Sequence, residues 1–293
     1  MSVLILFSST NIGGAEMSIS RMVIASKRIK YIIGSINHEG PLIKWMRNEG
    51  IQTKIFTKNE GPLQILRGIF NLSKYLIINS IEVVYVFGSK LSIFIRILKF
   101  FHPKLKIVQA IRWNPASNSN LDKFTRFMEL TTSSLVNSWI TNSFIAKKNL
   151  VKMCGINANS INVIYNGLDT KPLKINYYEN RPLEILTVAN FSPRKGHIEY
   201  LRSIKIVTQV IPKAKFVFIG RDDMKGLIQR RITELNLDKN VKCIGFKSDL
   251  TKWYKRARVF VLPSLWDEGC PTSILEAFSF GIPVIASNID GIP

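Results

Sequence analysis

Short apolar runs alternate with longer amphipathic segments along the whole chain. The short runs are rich in β-branched and aliphatic residues and predict buried strands, at residues 3–7, 32–36, 53–56, 83–87, 106–111, 139–142, 183–189, 215–219, 241–244, 259–262 and 284–286. The amphipathic segments predict helices, at residues 17–26, 41–48, 64–79, 91–101, 121–135, 143–154, 198–210, 224–235 and 250–256, with a further helix after Pro271. This alternation is typical of an α/β fold built on parallel sheets.

The alternation is interrupted once by a polar stretch that contains Pro172 and is followed by Pro182. We therefore predict two doubly wound, Rossmann-like domains at residues 1–170 and 182–293, joined by a linker at residues 171–181. Asn166 and Gly167, near the end of the first domain, predict a turn.

The most informative stretch is residues 263–287, which we call the signature segment. Its pattern predicts a strand end, a polar loop with Glu268, a helix with Glu276, a stop at Gly281 and another strand. Pro271 suits the first helical position, where a missing N–H costs nothing. The spacing places Glu268 at the carboxyl end of a strand and Glu276 on the helix behind it, in the crevice where open parallel sheets bind ligands. Two carboxylates could also serve as the acid/base pair of a hydrolase.

The signature segment resembles that of the retaining GT-B glycosyltransferases of family 4, also called glycosyl transferases group 1. The residues that match are Glu268, Gly269, Pro271, Leu275, Glu276, Ala277, Gly281, Pro283, Val284, Ala286 and Ser287. The resemblance implies the GT-B fold, in which two Rossmann-like domains face a central cleft. It also implies transfer of a sugar, with retention, from a nucleotide-sugar donor to a hydroxyl of a glycan or lipid-linked acceptor, in bacterial surface polysaccharide or glycolipid assembly.

The resemblance assigns catalytic roles to Glu268, which contacts the donor sugar or orients its leaving bond, and to Lys195, which binds the diphosphate. It assigns Glu276 to the ribose hydroxyls. The family's Arg aligns here with Asn190, and the neighbouring Arg194 would compensate for it. The other residues implied in donor binding are Gly220, Phe246, Pro271, Thr272 and Ser273. Without the resemblance, Lys195 is a surface loop lysine.

No Asp-x-Asp metal pattern is apparent, and the resembled enzymes need no metal, so we expect neither a metal nor another cofactor.

In the first domain, Gly13 and Gly14 follow the first strand and precede a helix whose N-terminus can face an anion. They indicate either close approach to a ligand or a tight turn. The resemblance places this loop at the cleft. Arg112 ends a later strand where many family members carry a His, and it indicates either binding of a phosphate or acidic sugar or an exposed arginine.

Basic residues outnumber acidic ones, 41 to 20, giving a formal net charge of +21. Up to and including Asp169 there are 21 Lys and Arg residues and 8 Asp and Glu residues. This excess favours binding to an anionic membrane surface, a diphosphate lipid or nucleic acid. The alternative is that the basic residues merely form a solvated surface. No nucleic-acid recognition motif is present, so nucleic acid is not an expected partner, although a basic nucleic-acid-binding protein remains an alternative.

Residues 91–101 combine Phe and Ile with Arg96 and Lys99, as in a helix that lies on an anionic bilayer or one that covers the sheet. No apolar run reaches the roughly 18 to 20 residues of a membrane span. Three distant cysteines and the lack of a secretory signal predict a cytoplasmic protein, peripheral on the inner membrane face if it binds lipid.

The sequence ends shortly after the signature segment, whereas the resembled proteins continue with another strand and further helices. We therefore expect a truncated second domain. An inactive truncated relative that only binds nucleotide is the corresponding alternative to an active enzyme.

Overall fold

The computed structural model describes residues 2–58, 61–112, 123–168 and 180–293. The chain divides into two compact units, residues 1–166 and 167–293. Most of the predicted linker lies outside the described residues. Its last residue, Arg181, is buried in the second unit, where its guanidinium donates to the carbonyls of Ala257 (3.0 Å) and Phe280 (2.7 Å).

The first unit contains, within its described residues, a seven-stranded sheet in the order β3-β2-β1-β4-β5-β6-β7. Every neighbouring pair is parallel. The strands are β1 (Ser2–Phe7), β2 (Lys30–Ser35), β3 (Gln52–Ile55), β4 (Val83–Phe87), β5 (Lys106–Ile111), β6 (Ser138–Thr141) and β7 (Ile161–Val163).

Helices cover both faces of this sheet, because alternate side chains of each strand point to opposite sides. Val3 and Ile5 of β1 pack with one group of helices, whereas Leu4 and Leu6 pack with the other. The first group is α1 (Gly14–Ala25) and α2 (Pro41–Asn48). The second face carries α3 (Pro62–Ile78), α4 (Ser89–Arg96), α5 (Leu98–Phe101), α6 (Lys123–Thr132) and α7 (Phe144–Cys154).

Three predictions about this unit are wrong in detail. The helix predicted at residues 91–101 is two helices, α4 and α5, separated at Ile97. The helix predicted from residue 17 already begins at Gly14. Asn166 and Gly167, predicted as a turn, lie in irregular chain.

Arg96 does not belong to the basic surface predicted for residues 91–101, because its side chain is fully buried. Its guanidinium pairs with Glu129 of α6 and donates to Gln109 (2.6 Å) and Thr132 (2.6 Å). It also lies 5.5 Å from the ring centre of Trp139. A buried charge of this kind is tolerated only when it is paired and hydrogen-bonded, so this cluster fixes α6 against α4.

The second unit contains, within the described part of the chain, a five-stranded parallel sheet in the order β10-β9-β8-β11-β12. The strands are β8 (Glu184–Val188), β9 (Lys215–Ile219), β10 (Val241–Gly245), β11 (Val259–Leu262) and β12 (Val284–Ala286). The helices are α8 (His197–Val210), α9 (Leu227–Glu234), α10 (Thr251–Arg256) and α11 (Thr272–Ser279). The predicted fold class, α/β with two Rossmann-like parallel-sheet domains, is confirmed.

Helix α11 lies in the signature segment and differs from the prediction at its start. Pro271 is the N-cap, with extended backbone (φ −64°, ψ 114°), and its carbonyl accepts from the N–H of Ile274 at 3.2 Å. The predicted stop at Gly281 is confirmed. Gly281 has φ +64°, a left-handed conformation that glycine adopts without a Cβ clash.

His197, the first residue of α8, is buried between the rings of Phe191 (5.0 Å between centroids) and Phe218 (5.3 Å). Among the described residues, neither ring nitrogen has a hydrogen-bond partner. Burial, assisted by the positive charge of Lys195, lowers the pKa of His197 to about 4. The imidazole is therefore neutral in the folded protein at pH 7.

We expect Glu129→Ala to lower the free energy of unfolding by at least about 3 kcal/mol, because it leaves the Arg96 guanidinium buried without its carboxylate. The double variant Arg96→Met/Glu129→Leu should recover most of the loss. Urea unfolding followed by circular dichroism measures both, with Glu82→Ala on the exposed surface as the control. A Glu129→Ala protein as stable as the control would contradict a structural role for the pair.

Acidification should destabilise the fold through His197. The folded-state pKa lies below the unfolded value of about 6.5, so the unfolded chain binds the proton first and stability is lost as the pH falls from about 6.5 to 4. The full contribution is on the order of 3 kcal/mol. The melting temperature of His197→Leu should fall less between pH 7 and 4.5 than that of the wild type; parallel curves would refute this origin.

Candidate active site

The parallel strands of the second unit bring their carboxyl ends to one edge of the sheet. Beyond that edge the chain continues into Asn190 after β8, Gly220 after β9, Phe246 after β10 and Ser264 after β11. Residues that are distant in sequence therefore meet there, at the edge where open parallel sheets bind ligands.

The loop after β8 packs directly against the end of β11. Gly196 has φ +66°, and a Cβ at this position would lie 2.0 Å from the carbonyl oxygen of Pro263. The N–H of Leu265 donates to the carbonyl of Arg194 at 2.7 Å. Only glycine permits this approach, which carries Lys195 to the loop of Glu268.

Lys195 and Glu268 form an ion pair across these two loops, Nζ to Oε1. Ser264 donates its hydroxyl to the same carboxylate oxygen at 2.5 Å. The Glu268 residue is only 5% exposed. Its N–H donates to Asp290 (3.1 Å) and its carbonyl accepts from the N–H of Gly291 (3.2 Å), so both its side chain and its backbone are held.

Two cations of different exposure lie beside Glu268. Burial lowers the pKa of Lys195, and the carboxylate of Glu268 opposes that shift. Arg194 is more exposed, donates to the carbonyl of Asp267 at 2.9 Å, and places Nη1 3.9 Å from the Glu268 carboxylate. Arg194 therefore gives the loop after β8 a positive charge that can face a ligand, even though Lys195 is paired with Glu268.

Glu276 lies on α11 and is oriented by a buried tyrosine. The hydroxyl of Tyr254 donates to Glu276 Oε2 at 2.9 Å and reaches the carbonyl of Ser273 at 3.3 Å. Pro271 and Thr272 stand with Ser273 at the N-terminal end of α11, where backbone N–H groups and the helix dipole favour an anion.

The remaining predicted donor residues occupy the ends of β8, β9 and β10. The side-chain oxygen of Asn190 accepts from the N–H of Arg221 at 3.1 Å. A Cβ at Gly220 would lie 2.0 Å from the carbonyl of Ala189, so strand packing already requires a glycine here. Phe246 follows β10 and is exposed.

In the first unit, Gly13 is the N-cap of α1 with extended backbone (φ −136°), and Gly14 is the first residue of that helix. A Cβ at Gly13 would meet Glu16 Oε2 at 2.6 Å. The space beside Gly13 is therefore taken by a carboxylate of the chain itself, which also interacts favourably with the N-terminal end of the helix dipole.

Arg112, at the end of β5, is half-buried rather than an exposed strand-end arginine. Its guanidinium donates to the side-chain oxygen of Asn166, which also accepts from Ser18 at 3.1 Å, and it hydrogen-bonds Tyr85. Binding of a phosphate or acidic sugar by Arg112 stays a prediction.

Three residues of the site, Ser264, Tyr254 and Asp290, were not assigned from the sequence. For Ser264, the one signal in the sequence is its hydroxyl group, four positions before Glu268. Tyr254 and Asp290 each lie 22 positions from the glutamate they bind, so no local pattern links them. Over the described ranges, no group of three or more His, Cys, Asp or Glu residues is arranged to hold a metal ion.

Comparison with known sequences supports the resemblance. The model of the family Glycosyl transferases group 1 matches residues 173–293. The UDP-Gal:alpha-D-GlcNAc-diphosphoundecaprenol alpha-1,3-galactosyltransferase of Escherichia coli is 26% identical over 251 residues, covering 80% of this chain and 65% of that protein. The amylovoran biosynthesis glycosyltransferase AmsK of Erwinia amylovora is 31% identical over 148 residues, covering 47% and 36%. The matches thus span between about a third and two thirds of these relatives' own length.

Among solved structures, Anabaena HepE in complex with UDP-glucose aligns with 99% of this chain and 81% of its own, with a TM-score of 0.82 and 22% identity. At this identity the likeness concerns the fold, two parallel-sheet Rossmann-like domains of the GT-B type. The predicted truncation stays a prediction. From these comparisons we conclude that the chain has the GT-B fold and that its residues 173–293 match the family Glycosyl transferases group 1.

Proposed function

We propose that this protein transfers a hexosyl group from a nucleotide-sugar donor, with retention, to a hydroxyl of a glycan or lipid-linked acceptor in bacterial surface polysaccharide or glycolipid assembly. The observation that carries the proposal is the pair formed by Lys195 and Glu268 at the carboxyl edge of the second sheet. It places a cation and a buried carboxylate side by side, next to the loop that leads into α11.

The diphosphate of the donor gains negative charge as the bond between the sugar and its phosphate oxygen breaks. Lys195 carries three N–H donors, so the contact with Glu268 leaves capacity for phosphate oxygens. Arg194 adds a second cation and supplies the charge that the family's Arg would bring at Asn190. Together with the N-terminal end of α11, these groups stabilise the leaving group electrostatically. We propose that no metal takes part.

Glu276 is proposed to accept hydrogen bonds from the ribose hydroxyls, with Tyr254 holding its carboxylate in position. Phe246, exposed after β10, is proposed to lie near the nucleobase. Uridine diphosphate is the favoured nucleotide, because the name of the Escherichia coli relative specifies UDP-Gal and HepE was solved with UDP-glucose.

Glu268 is proposed to bind hydroxyls of the donor sugar and to orient the bond that breaks. Its other contacts, from Ser264 and Lys195, fix its geometry before the donor arrives, which lowers the cost of reorganisation during the reaction. The match of residues 173–293 to a glycosyltransferase family model favours this role over the hydrolase alternative.

Binding of uridine diphosphate should raise the melting temperature of the wild-type protein, by mass action on the folded state. Lys195→Met and Glu276→Gln should each lose most of this shift. Lys213→Met and Glu234→Gln, two exposed residues of the same unit, are the matched controls and should keep it. If UDP, GDP and ADP all leave the melting of the folded wild type unchanged, the donor-site assignment is wrong.

Glu268→Gln should lower the turnover of a UDP-sugar by about 100-fold or more, since it removes a charge directed at the reacting sugar, while UDP still shifts melting. Transfer and donor hydrolysis are followed by release of UDP, with Glu234→Gln as the control and with EDTA added to test the expected metal independence. A wild type that binds UDP but turns over no UDP-sugar would support the alternative of an inactive nucleotide binder.

A further inference from the structure

The helices on one face of the first unit carry, among their described residues, exposed charge of a single sign. Helices α3 to α7 contain one acidic residue among their described residues, Glu129, and it is buried with Arg96. All the other charged side chains of these helices are basic and reach the surface: Arg67, Lys74, Lys90, Lys99, Lys123, Arg126, Lys147, Lys148 and Lys152. The buried pair therefore removes the helices' one carboxylate from the surface.

The same helices expose large apolar side chains between these cations. Phe100 is 74% exposed, Phe101 72% and Phe124 69%. Further exposed residues follow at helical spacing: Leu63, Leu66, Phe70 and Ile77 on α3, Phe94 on α4, and Phe127 and Leu130 on α6. Such stripes on a covering helix normally face a core, and here they face outward.

These helices form one continuous surface, because hydrogen bonds link them in turn. Ser73 of α3 bonds His102, directly after α5, at 2.7 Å. Arg96 joins α4 to α6, and Arg126 of α6 donates to the carbonyl of Met153 in α7 at 3.0 Å. We call this surface of α3 to α7 the basic apolar face.

Several of the described helices elsewhere in the chain carry or adjoin acidic residues, and the two that contain only cations, α2 and α10, show no exposed large apolar side chain. α1 carries Glu16 in its first turn, and an ion pair of 2.6 Å between Arg47 and Glu39 flanks α2. In the second unit, α8 carries Glu199 and α9 carries Glu234. The segregation of positive charge with exposed aromatic residues is therefore specific to one face and not a general consequence of a basic composition.

We propose that the basic apolar face docks this protein on the surface of an anionic lipid bilayer. Phe and Leu side chains enter the interface while Lys and Arg meet phosphate headgroups, the arrangement of interfacial amphipathic helices. The described helices include none that is both long and apolar enough to cross a bilayer.

Charge and chemistry favour lipid over the other occupants. A second copy of this chain would bring two positively charged faces together, which like-charge repulsion opposes. Nucleic acid would match the positive charge but would leave the aliphatic residues of α3 without an apolar partner. The proposal concerns the first unit and does not depend on the donor site of the second.

The test is co-sedimentation of the full chain with vesicles of phosphatidylglycerol and phosphatidylethanolamine, compared with vesicles of phosphatidylcholine. The wild type should pellet with the anionic vesicles only, and less as salt is raised. Phe100→Ser/Phe101→Ser and Lys74→Glu/Lys99→Glu should each weaken the partitioning by about tenfold or more. The matched control is Ile206→Ser/Val210→Ser, which removes two exposed apolar residues from α8 in the other unit.

Circular dichroism and the UDP melting shift verify that each variant is folded, so loss of lipid binding is read separately from loss of the proposed donor site. The proposal is overturned if the wild type ignores anionic vesicles, if it binds neutral vesicles equally well, or if the control loses binding as much as the variants. It is also overturned if light scattering or RNA binding shows that the same face instead joins two copies or holds nucleic acid.

Discussion

The candidate site depends on a backbone contact between two loops of the second sheet. Gly196 lies so close to the carbonyl of Pro263 that no side chain fits between them. That contact brings Lys195 to Glu268, 73 positions later in the chain, and Ser264 completes the bonding of the carboxylate. Parallel strand pairing makes the meeting possible, because it sends the ends of β8 and β11 to the same edge.

Two buried or half-buried ion pairs lie in different surroundings in this protein. Arg96 and Glu129 lie beneath helices and have further partners in Gln109 and Thr132, so the pair acts as a fixed structural joint. Lys195 and Glu268 lie in loops at a strand edge, where a ligand can compete for the cation. Burying charge costs free energy in both places, and the more accessible position of the second pair is the reason that we propose a function for it.

The buried ion pair between Arg96 and Glu129 also determines which charged side chains the surface of the first unit presents. With Glu129 held by Arg96, the outward side of α3 to α7 is left with cations and aromatic residues. The sequence suggests Arg96 as part of a helix that faces a membrane. In the structure Arg96 is buried instead, and its contribution to this surface is to hold Glu129 away from it. The charge excess of the composition alone could not reveal this, because composition does not say which charges are buried.

The alternation of strands and helices, the position of Glu268 on a loop and of Glu276 on a helix, and the stop at Gly281 could all be predicted from the sequence. These follow from local periodicity, from glycine's access to positive φ and from a signature of fixed spacing. The sequence prediction placed Pro271 and the starts of α1 and α4 wrongly and missed the break at Ile97. The ends of helices and strands are decided by small energy differences. The contacts of Tyr254 and Asp290 with the two glutamates, and the burial of Arg96, became visible only in the folded chain. Contacts between distant residues arise from sheet order and packing and leave no local pattern in the sequence.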